Sequence, residues 1–449
     1  MSQIVIAIFD IGKTNKKCFL FNEAYEIVFE KTTNTTEIVD EDGFQCDNID
    51  ELNNWLLGTW KEINQLPQFE IKALNFSGYG ASFVQIDVDG KPIAPLYNYL
   101  KPFSPKLLDE FYEKNGGKLE FPKITASPIL GNLNSGMQLY SLKYEKPDTF
   151  SKTHFALHLP QYLSSVFSHQ FYSEITSIGC HTNLWDFTRK NYHRWVSVEN
   201  IDKILAPIIN SNFTNKLNNI EIGVGLHDSS SALIPYLKFQ ENSDSFILIS
   251  TGTWCINLNP FNDEPLTDYE LSKDCLCFLQ NNGKPVKASR LFAGQFHEDQ
   301  TARIAKHFNL EQNFYKSIEF DEINIRSVNK TFVPDNFSNT NSCYFEAQNL
   351  NDFKNEEKAY YQLIYDLVKQ QVFSLNLVIA KNNTVSNLFV DGGFSKNTIF
   401  MNFLAMEYPQ FNVYGAEVAQ ASALGAALII HEKWNSISVP THLISLKKF

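Results

Sequence analysis

Gly225-Leu226-His227-Asp228-Ser229-Ser230-Ser231-Ala232 lies almost at the midpoint of the 449-residue chain. Ahead of it, residues 220–225 (IEIGVG) are apolar, rich in isoleucine and ended by glycine, which reads as a short strand. From Ser229 onward, with Ala232 and Leu233, a helix begins. Asp228 therefore falls at or near a helix N-terminus, where the helix dipole favours an ionised carboxylate. Such a carboxylate can act as a general base near neutral pH. An ordinary helix-capping aspartate is the alternative, and a Gly-x-His-Asp run alone does not separate the two. The loops on either side bear on that choice.

Toward the C-terminus, residues 246–250 (FILIS) form a strand, Thr251-Gly252-Thr253-Trp254 its turn, and residues 255–258 (CINL) a returning strand. Toward the N-terminus the same grammar appears. Residues 4–9 (IVIAIF) are a strand ended by Asp10-Ile11-Gly12, and residues 18–21 (CFLF) return after Gly12-Lys13-Thr14-Asn15-Lys16-Lys17. A loop of Gly, Thr and Lys at a strand end suits phosphate, since backbone N–H groups, a hydroxyl and an ammonium can all face the anion. The spacing is not that of a Walker P-loop, and a plain hairpin turn is the competing reading. The two segments lie roughly 240 residues apart, which implies an internal duplication and two similar domains. Two such loops facing each other can hold a triphosphate.

A third glycine loop follows residues 387–390 (NLFV) as Asp391-Gly392-Gly393-Phe394-Ser395-Lys396-Asn397. Paired glycines after a strand let a ligand approach the backbone closely; a tight strand-to-helix turn is the alternative. Residues 355–380 carry apolar positions at helical spacing, and residues 418–430 are rich in Ala and Gly, which suits a helix packed close to a neighbour. Residues 50–65 read as an amphipathic helix on Leu52, Trp55, Leu56, Trp60 and Ile63, and residues 71–76 as a buried strand. Residues 83–88 with Asp89-Gly90 look like a hairpin. Residues 101–123 read as a polar, turn-rich surface excursion, residues 136–144 and 159–168 as helices, and residues 176–185 as a loop near a site.

Composition narrows the function classes. Apolar residues make up 43%, enough for a normal core in each domain. A net charge of -12 argues against a nucleic-acid-binding surface, which needs clustered Lys and Arg. No apolar run approaches the roughly 20 residues needed to span a bilayer, and residues 1–9 lack the basic region and cleavage site of a secretory signal. The seven cysteines are odd in number and irregularly spaced, as expected of free thiols in a reducing compartment. A cytoplasmic protein is expected. No interface patch is legible, and a homodimer is left open.

Together these motifs resemble, in order and over nearly the whole chain, the FGGY carbohydrate kinases of the actin-like ATPase superfamily. Asp10-x-Gly12-x-Thr14-Asn15-x-Lys17 resembles the first phosphate loop. Asp87-x-Asp89-Gly90-Lys91-Pro92-Ile93 resembles the hairpin before a sugar-contacting segment, and Gly225-Leu226-His227-Asp228 the stretch holding the catalytic base. Ser250-Thr251-Gly252-Thr253-Trp254 resembles the second phosphate loop, Asp391-Gly392-Gly393 with Asn397 the adenosine segment, and residues 421–427 the closing small-residue helix. The Gly-Leu-His-Asp and Ser-Thr-Gly-Thr-Trp stretches are most similar to the rhamnulokinase branch.

The resemblance implies an α/β fold of two actin-like (ribonuclease H-like) domains, residues 1–224 on the sugar side and 225–449 on the nucleotide side, with an interdomain cleft. It implies ATP and Mg2+ as cofactors and a small sugar as substrate, with a ketose such as L-rhamnulose, L-fuculose or xylulose as the leading group. Asp228 would be the base, and Asp10 would hold Mg2+. Gly12, Thr14, Asn15 and Lys17 would meet the terminal phosphates, Thr251, Gly252 and Thr253 would oppose them, and Gly392, Gly393 and Asn397 would line the adenosine pocket. Asn98 and His227 would contact the sugar beside Asp228. Lys13 stands where the family usually has Thr or Ser, and Lys17 where Arg is common. A non-catalytic sugar or nucleotide sensor and an actin-like ATPase remain the alternatives on the same fold.

Overall fold

A computed structural model of the chain describes residues 2–239, 245–330, 342–382 and 384–449. The described residues form two compact α/β units. One comprises Met1–Glu241, Cys277–Pro285 and Ala419–Leu443; the other comprises Asn242–Leu276, Val286–Val418 and Ile444–Phe449.

The first unit is built on strands β1 (Gln3–Ile11), β2 (Lys16–Asn22), β3 (Ile27–Thr33), β4 (Phe69–Gly78), β5 (Thr214–Leu217), β6 (Ile220–Gly223) and β7 (Leu226–His227). Their order is β5-β6-β4-β1-β2-β3, with β7 also pairing β4. β1 runs antiparallel to β2 and parallel to β4, and β4 runs parallel to β7. Val5, Ala7, Phe9, Leu74 and Phe76 are buried in one hydrophobic core. The helix Ile49–Ile63 contributes Leu52, Leu56 and Ile63 to that core, as its periodicity requires, and Asn48 caps it by accepting from Glu51 N–H.

In the second unit, β8 (Phe246–Thr251), β9 (Cys255–Asn259), β10 (Pro285–Leu291), β11 (Asn387–Gly392), β12 (Asn412–Glu417) and β13 (Ser445–Lys448) carry the order β10-β9-β8-β11-β12-β13. β8 is antiparallel to β9 and parallel to β11. This repeats the β1–β2 hairpin with its parallel neighbour β4, so the duplication inferred from two glycine turns is a duplication of topology. The helix Glu356–Asn376 anchors the core here through Leu363, Ile364, Leu367 and Leu375.

Two expectations need correcting. The division of the chain is not a single cut between residues 224 and 225: Asp228 and its helix Asp228–Phe239 belong to the first unit. Pairing of β7 with β4 holds the segment there, as does the small-residue helix Ala421–Leu428, which packs on Asp228–Phe239 so closely that a Cβ on Gly425 would lie 1.9 Å from Ser231 O. Residues 101–123 are not a surface excursion. Pro105–Lys114 and Gly117–Thr125 are helices, and Phe111, Tyr112 and Phe121 are buried in a core with Met137 and Trp195. Ser104 followed by Pro105, with apolar residues at positions 107, 108, 111 and 112, was the helix signal. The turn at Asp89-Gly90 does close a hairpin, with Asp87 N–H donating to Lys91 O at 2.9 Å, Ile93 N–H donating to Gln85 O at 2.9 Å and Ile86 bridging Pro92, while Phe83–Ile86 pairs on its other side with Phe155–His158.

Candidate functional site

The site in the first unit lies where three strands end. In register, Asp10 of β1 faces Ser77 of β4, and His227 of β7 faces Gly78. Asp228 is the next residue and opens the helix Asp228–Phe239. Local sequence explains the junction. Gly225 has φ +80°, and a Cβ there would lie 2.4 Å from Pro160 O, so the turn into β7 admits only glycine. Asn75 braces it, accepting from Gly225 N–H and donating to Ala426 O at 2.7 Å.

Asp10 and Asp228 both titrate near 6. For Asp10, burial is the main cause, the charge of Asp228 adds to it, and hydrogen bonds from Ser422 and Ser77 and the charge of Lys17 oppose it. For Asp228, burial raises the carboxyl and the Ser229 N–H and hydroxyl partly offset it. The Asp228 side chain keeps 32% exposure, so water moderates the rise. Burial thus outweighs the helix dipole that sequence emphasised, yet Asp228 is still ionised at neutral pH. Ser422 Oγ donates to Asp10 Oδ2 at 2.8 Å.

His227 is buried beside this pair. Its Nε2 is 3.2 Å from Asp228 Oδ1 and 3.1 Å from Cys180 Sγ, and its Nδ1 is 3.3 Å from Ser230 Oγ. Burial pushes the imidazole down to about 3, so it is neutral. Thr176 Oγ accepts from His227 N–H, and the buried carboxylate of Glu174 holds Thr176 through both its N–H and its hydroxyl. His227 is therefore a buried, neutral wall beside Asp228, fixed through its own backbone by Thr176 and Glu174.

The other expected residues of this unit divide. Gly12, Thr14 and Asn15 form the β1–β2 turn, closed by Gly12 N–H donating to Asn15 O at 3.0 Å, with Thr14 and Asn15 exposed. Lys17 lies on β2 at the register of Asp10, its Nζ 3.4 Å from Gln420 Oε1 and 3.8 Å from Glu30. Asn98 is not joined to Asp228 by any hydrogen bond found; its amide donates to Gln45 O and accepts from Leu100 N–H, within a groove beside Tyr97 and Lys101.

In the second unit, a cavity of about 770 Å³ is lined by Gly252, Gly294, His297, Tyr315, Gly393 and Asn397, among others. It has the size of a small-molecule site. Tyr315 stacks on Tyr360, and His297 and Asn397 both reach the Tyr360 hydroxyl, at 3.1 and 2.8 Å. Gly252, Gly393 and Asn397 of the expected set reach the cavity, and Thr253 lines a second cavity of about 310 Å³ alongside. Nothing lies within 4 Å of a Cβ built on Gly393, so the backbone there is open to an occupant. Gly392 is instead a packing position, with φ +78° and a Cβ that would meet Thr251 O at 1.9 Å. Thr251 and Asn397 also make contacts that serve the fold. The Thr251 hydroxyl donates to Asp391 O and accepts from Phe394 N–H. The Asn397 carbonyl caps the helix Thr398–Glu407 through Ile399 and Phe400 N–H.

Sequence reading does not single out Cys180 and Ser422 in the first unit, or Gly294, His297, Tyr315 and Tyr360 in the second. Ser422 sat inside a small-residue run that was read only for packing. Tyr360 lies on the helix legible at residues 355–380 and Cys180 in the loop at residues 176–185, but spacing alone marks neither as a site residue.

Of this set, a Mg2+–nucleotide pair would find compatible chemistry. Asp10 and Asp228 are neighbouring carboxylates whose mutual repulsion a cation relieves, and Mg2+ keeps several waters and needs few protein oxygens. No cluster of three or more metal-ligating side chains occurs among the described residues. No described helix is long and apolar enough to cross a membrane.

Comparison with known proteins gives a consistent picture. Residues 5–224 match the N-terminal domain of the FGGY family of carbohydrate kinases, and residues 243–438 match the carbohydrate kinase FGGY C-terminal domain. No curated protein matches the sequence. Among solved structures, a carbohydrate kinase from Novosphingobium aromaticivorans is 19% identical, with 98% of this chain and 95% of that chain covered and a TM-score of 0.77. Glycerol kinase from Plasmodium falciparum with ADP is 19% identical (97% and 91% covered, TM-score 0.74). Xylulose kinase from Lactobacillus acidophilus is 12% identical (96% and 89% covered, TM-score 0.77). At these identities the likeness establishes the two-domain α/β fold.

Proposed function

Since this chain belongs to the FGGY family of carbohydrate kinases, we propose that it transfers the γ-phosphate of ATP to a hydroxyl of a neutral ketose, with Asp228 as the base. The observation that carries the reading is the placement of Asp228 beside Asp10 at the ends of β7 and β1, ionised at neutral pH and still a third exposed.

In this reading Asp228 accepts the proton of the acceptor hydroxyl as that oxygen bonds to the γ-phosphorus. The bond between the γ-phosphorus and the bridging oxygen breaks, and ADP leaves. Phosphoryl transfer asks a protein mainly for alignment and charge neutralisation. Mg2+, when bound, would neutralise phosphate charge, and Asp10 would hold it directly or through water. Ser229, through its N–H and hydroxyl, keeps the Asp228 carboxylate oriented, and neutral His227 adds no charge beside it. Lys17 and the exposed turn at Thr14 and Asn15 would meet the terminal phosphates. The cavity of the second unit would take the nucleoside, its ring against Tyr315 and its ribose and phosphates along Gly393 and Gly252.

The ketose assignment, with the rhamnulokinase-like branch first, rests on Gly225–Asp228 and Ser250–Trp254 as motifs. The test is ADP release from the purified protein with Mg2+-ATP across D- and L-xylulose, L-rhamnulose, L-fuculose, D-ribulose and glycerol. Stimulation by one ketose that Asp228→Asn abolishes supports the reading. High basal turnover, indifferent to every sugar and to the substitution, replaces it with an actin-like ATPase.

A further inference from the structure

Lys13 lies in the β1–β2 turn, between residues assigned above to phosphate, yet its side chain does not share their surroundings. The ammonium bonds the carboxylate of Asp47 and sits 5.7 Å from the Tyr79 ring centroid and 5.8 Å from that of Tyr99. The two rings meet edge to face at 6.2 Å, and the ammonium sits beside the pair at nearly equal distance from both. Asp47 is 5% exposed and is held by two further donors: the Tyr79 hydroxyl at 2.8 Å and Lys16 Nζ at 3.3 Å. Lys16, itself buried, also donates to Lys13 O at 2.9 Å. Burial alone would raise the Asp47 carboxyl, but Lys13, Tyr79 and Lys16 together hold it below the ordinary carboxylate range. This is a built arrangement, not a surface lysine that has found a nearby acid.

Its position relative to the base is set by the sheet. Tyr79 follows Gly78, the register partner of His227, and its N–H donates to Ile11 O at 3.0 Å, one residue past Asp10. The cluster thus sits against the strand ends that carry Asp10 and Asp228. Tyr99 is placed there too: its hydroxyl is raised by burial first and then by the charges of Asp228 and Asp47. Lys13 keeps 25% side-chain exposure and Tyr99 is half-buried, so both retain surface that a ligand can reach.

We propose that Lys13 recognises the phosphoryl acceptor and not the nucleotide. It donates an ammonium N–H to a hydroxyl or carbonyl oxygen of the sugar, while the Tyr99 ring covers a C–H face. Asp47 is the positioning residue that draws Lys13 out of the phosphate turn. Asp10, Asp47 and Asp228 balance Lys13, Lys16 and Lys17, so no positive excess calls for a sugar acid; the acceptor this wall fits is a neutral polyhydroxylated ketose or polyol. The proposal rests on the kinase reading above.

The test pairs acceptor kinetics with nucleotide binding. Lys13→Met keeps the apolar stem and removes the donors. With the ketose that stimulates wild-type ADP release best, its KM should rise about tenfold or more, the cost of losing a hydrogen bond from a charged group. The Kd for Mg2+-ADP, measured by calorimetry without sugar, should stay within about twofold, because the phosphate contacts are untouched. Tyr99→Leu leaves the Asp47 pairing in place and should show the same split, which covers the case in which Lys13→Met fails to fold. A Kd for ADP weakened about tenfold with an unchanged sugar KM makes Lys13 a phosphate ligand and overturns the proposal. Unchanged values in both measurements overturn it as well. Wild-type protein that releases ADP with none of the sugars overturns the kinase reading and this proposal with it, an outcome distinct from any shift in ADP affinity.

Discussion

His227 Nε2 lies 3.2 Å from Asp228 Oδ1, and the contact is not an ion pair. Burial holds the imidazole neutral to about pH 3, while Asp228 titrates near 6. Ser230 Oγ directs its hydrogen to Leu279 O at 3.0 Å and so offers only a lone pair to His227 Nδ1. That arrangement places the imidazole proton on Nδ1 and leaves Nε2 as an acceptor beside Cys180 and Asp228. A lone pair facing a carboxylate adds nothing to its charge stabilisation, in keeping with an Asp228 that holds its proton well above the ordinary range.

The pH profile of turnover follows. A base must be ionised, so activity is present above the Asp228 pKa and lost as pH falls through it. Sugar-stimulated kcat/KM should decline below about pH 6, with a slope between one and two protons because Asp10 titrates in the same range. Saturating Mg2+ should move this limb to lower pH, since a cation near Asp10 opposes the rise of both carboxyls. A profile flat down to pH 5 at low Mg2+ would remove Asp228 from the role of base.

Asp228→Asn should lose activity and gain stability. The activity loss expected for removing a general base is about 10²–10⁴-fold. The folded pKa is raised above the unfolded value, so the ionised form costs stability: nothing below about pH 4, the full amount above about pH 6. After allowing for the exposure of the side chain, that cost is about 1–2 kcal/mol at pH 7.5. The Asn variant should melt a few degrees higher than wild type at pH 7.5, with the gap closing toward pH 4. Equal melting temperatures at both pH values would refute the argument.

Gly80 tests the support behind the base. A Cβ there would lie 2.5 Å from Cys180 Sγ and 3.0 Å from His227 Cδ2 and Nε2. Gly80→Ala should therefore displace the His227–Cys180 pair and lower kcat/KM by about 10- to 100-fold, with a destabilisation of about 1–3 kcal/mol from overpacking. Adding Cys180→Ala removes the atom that the new methyl meets most closely, so the double variant should recover part of the lost activity. A double variant worse than the sum of the singles would show that the thiol, and not the steric clash, matters.

Two glycines of the second unit should respond in opposite ways. Gly393 has helical φ and no neighbour within 4 Å of a Cβ, so Gly393→Ala should leave the melting temperature unchanged while raising the nucleotide KM several-fold. A Cβ on Gly294 would meet Gly252 O at 1.9 Å. Gly294→Ala should thus destabilise the whole turn and lower protein stability by several kcal/mol. Thermal melts beside nucleotide titrations separate the two; a Gly393→Ala variant with unaltered nucleotide KM would exclude that backbone from the binding surface.

Local pattern carried most of the fold. The strands at residues 3–11, 69–78, 246–251 and 387–392 were legible because buried central strands are short apolar runs ended by Gly or Asp, and the signal is contained in the run itself. The duplication was legible because each half opens with a strand and a Gly-Thr turn. The helices at residues 105–125 were missed because frequent Gly, Pro and Lys masked an apolar spacing that a capping serine announces.

By itself, the sequence determined two α/β halves, the family they belong to and the carboxylates Asp10 and Asp228 at strand ends, since each of these is encoded by residues adjacent in the chain. Only the tertiary structure decided what surrounds them. It places Asp228 with the first unit, because β7 pairs with a strand from residues 69–78 and a helix from residues 421–428 covers the junction. It also turns Thr251 toward the fold, and it draws Lys13 away from its own turn to Asp47, Tyr79 and Tyr99. Those outcomes depend on hydrogen-bond and charge partners tens or hundreds of residues away, and the spacing of neighbours along a chain holds no record of them.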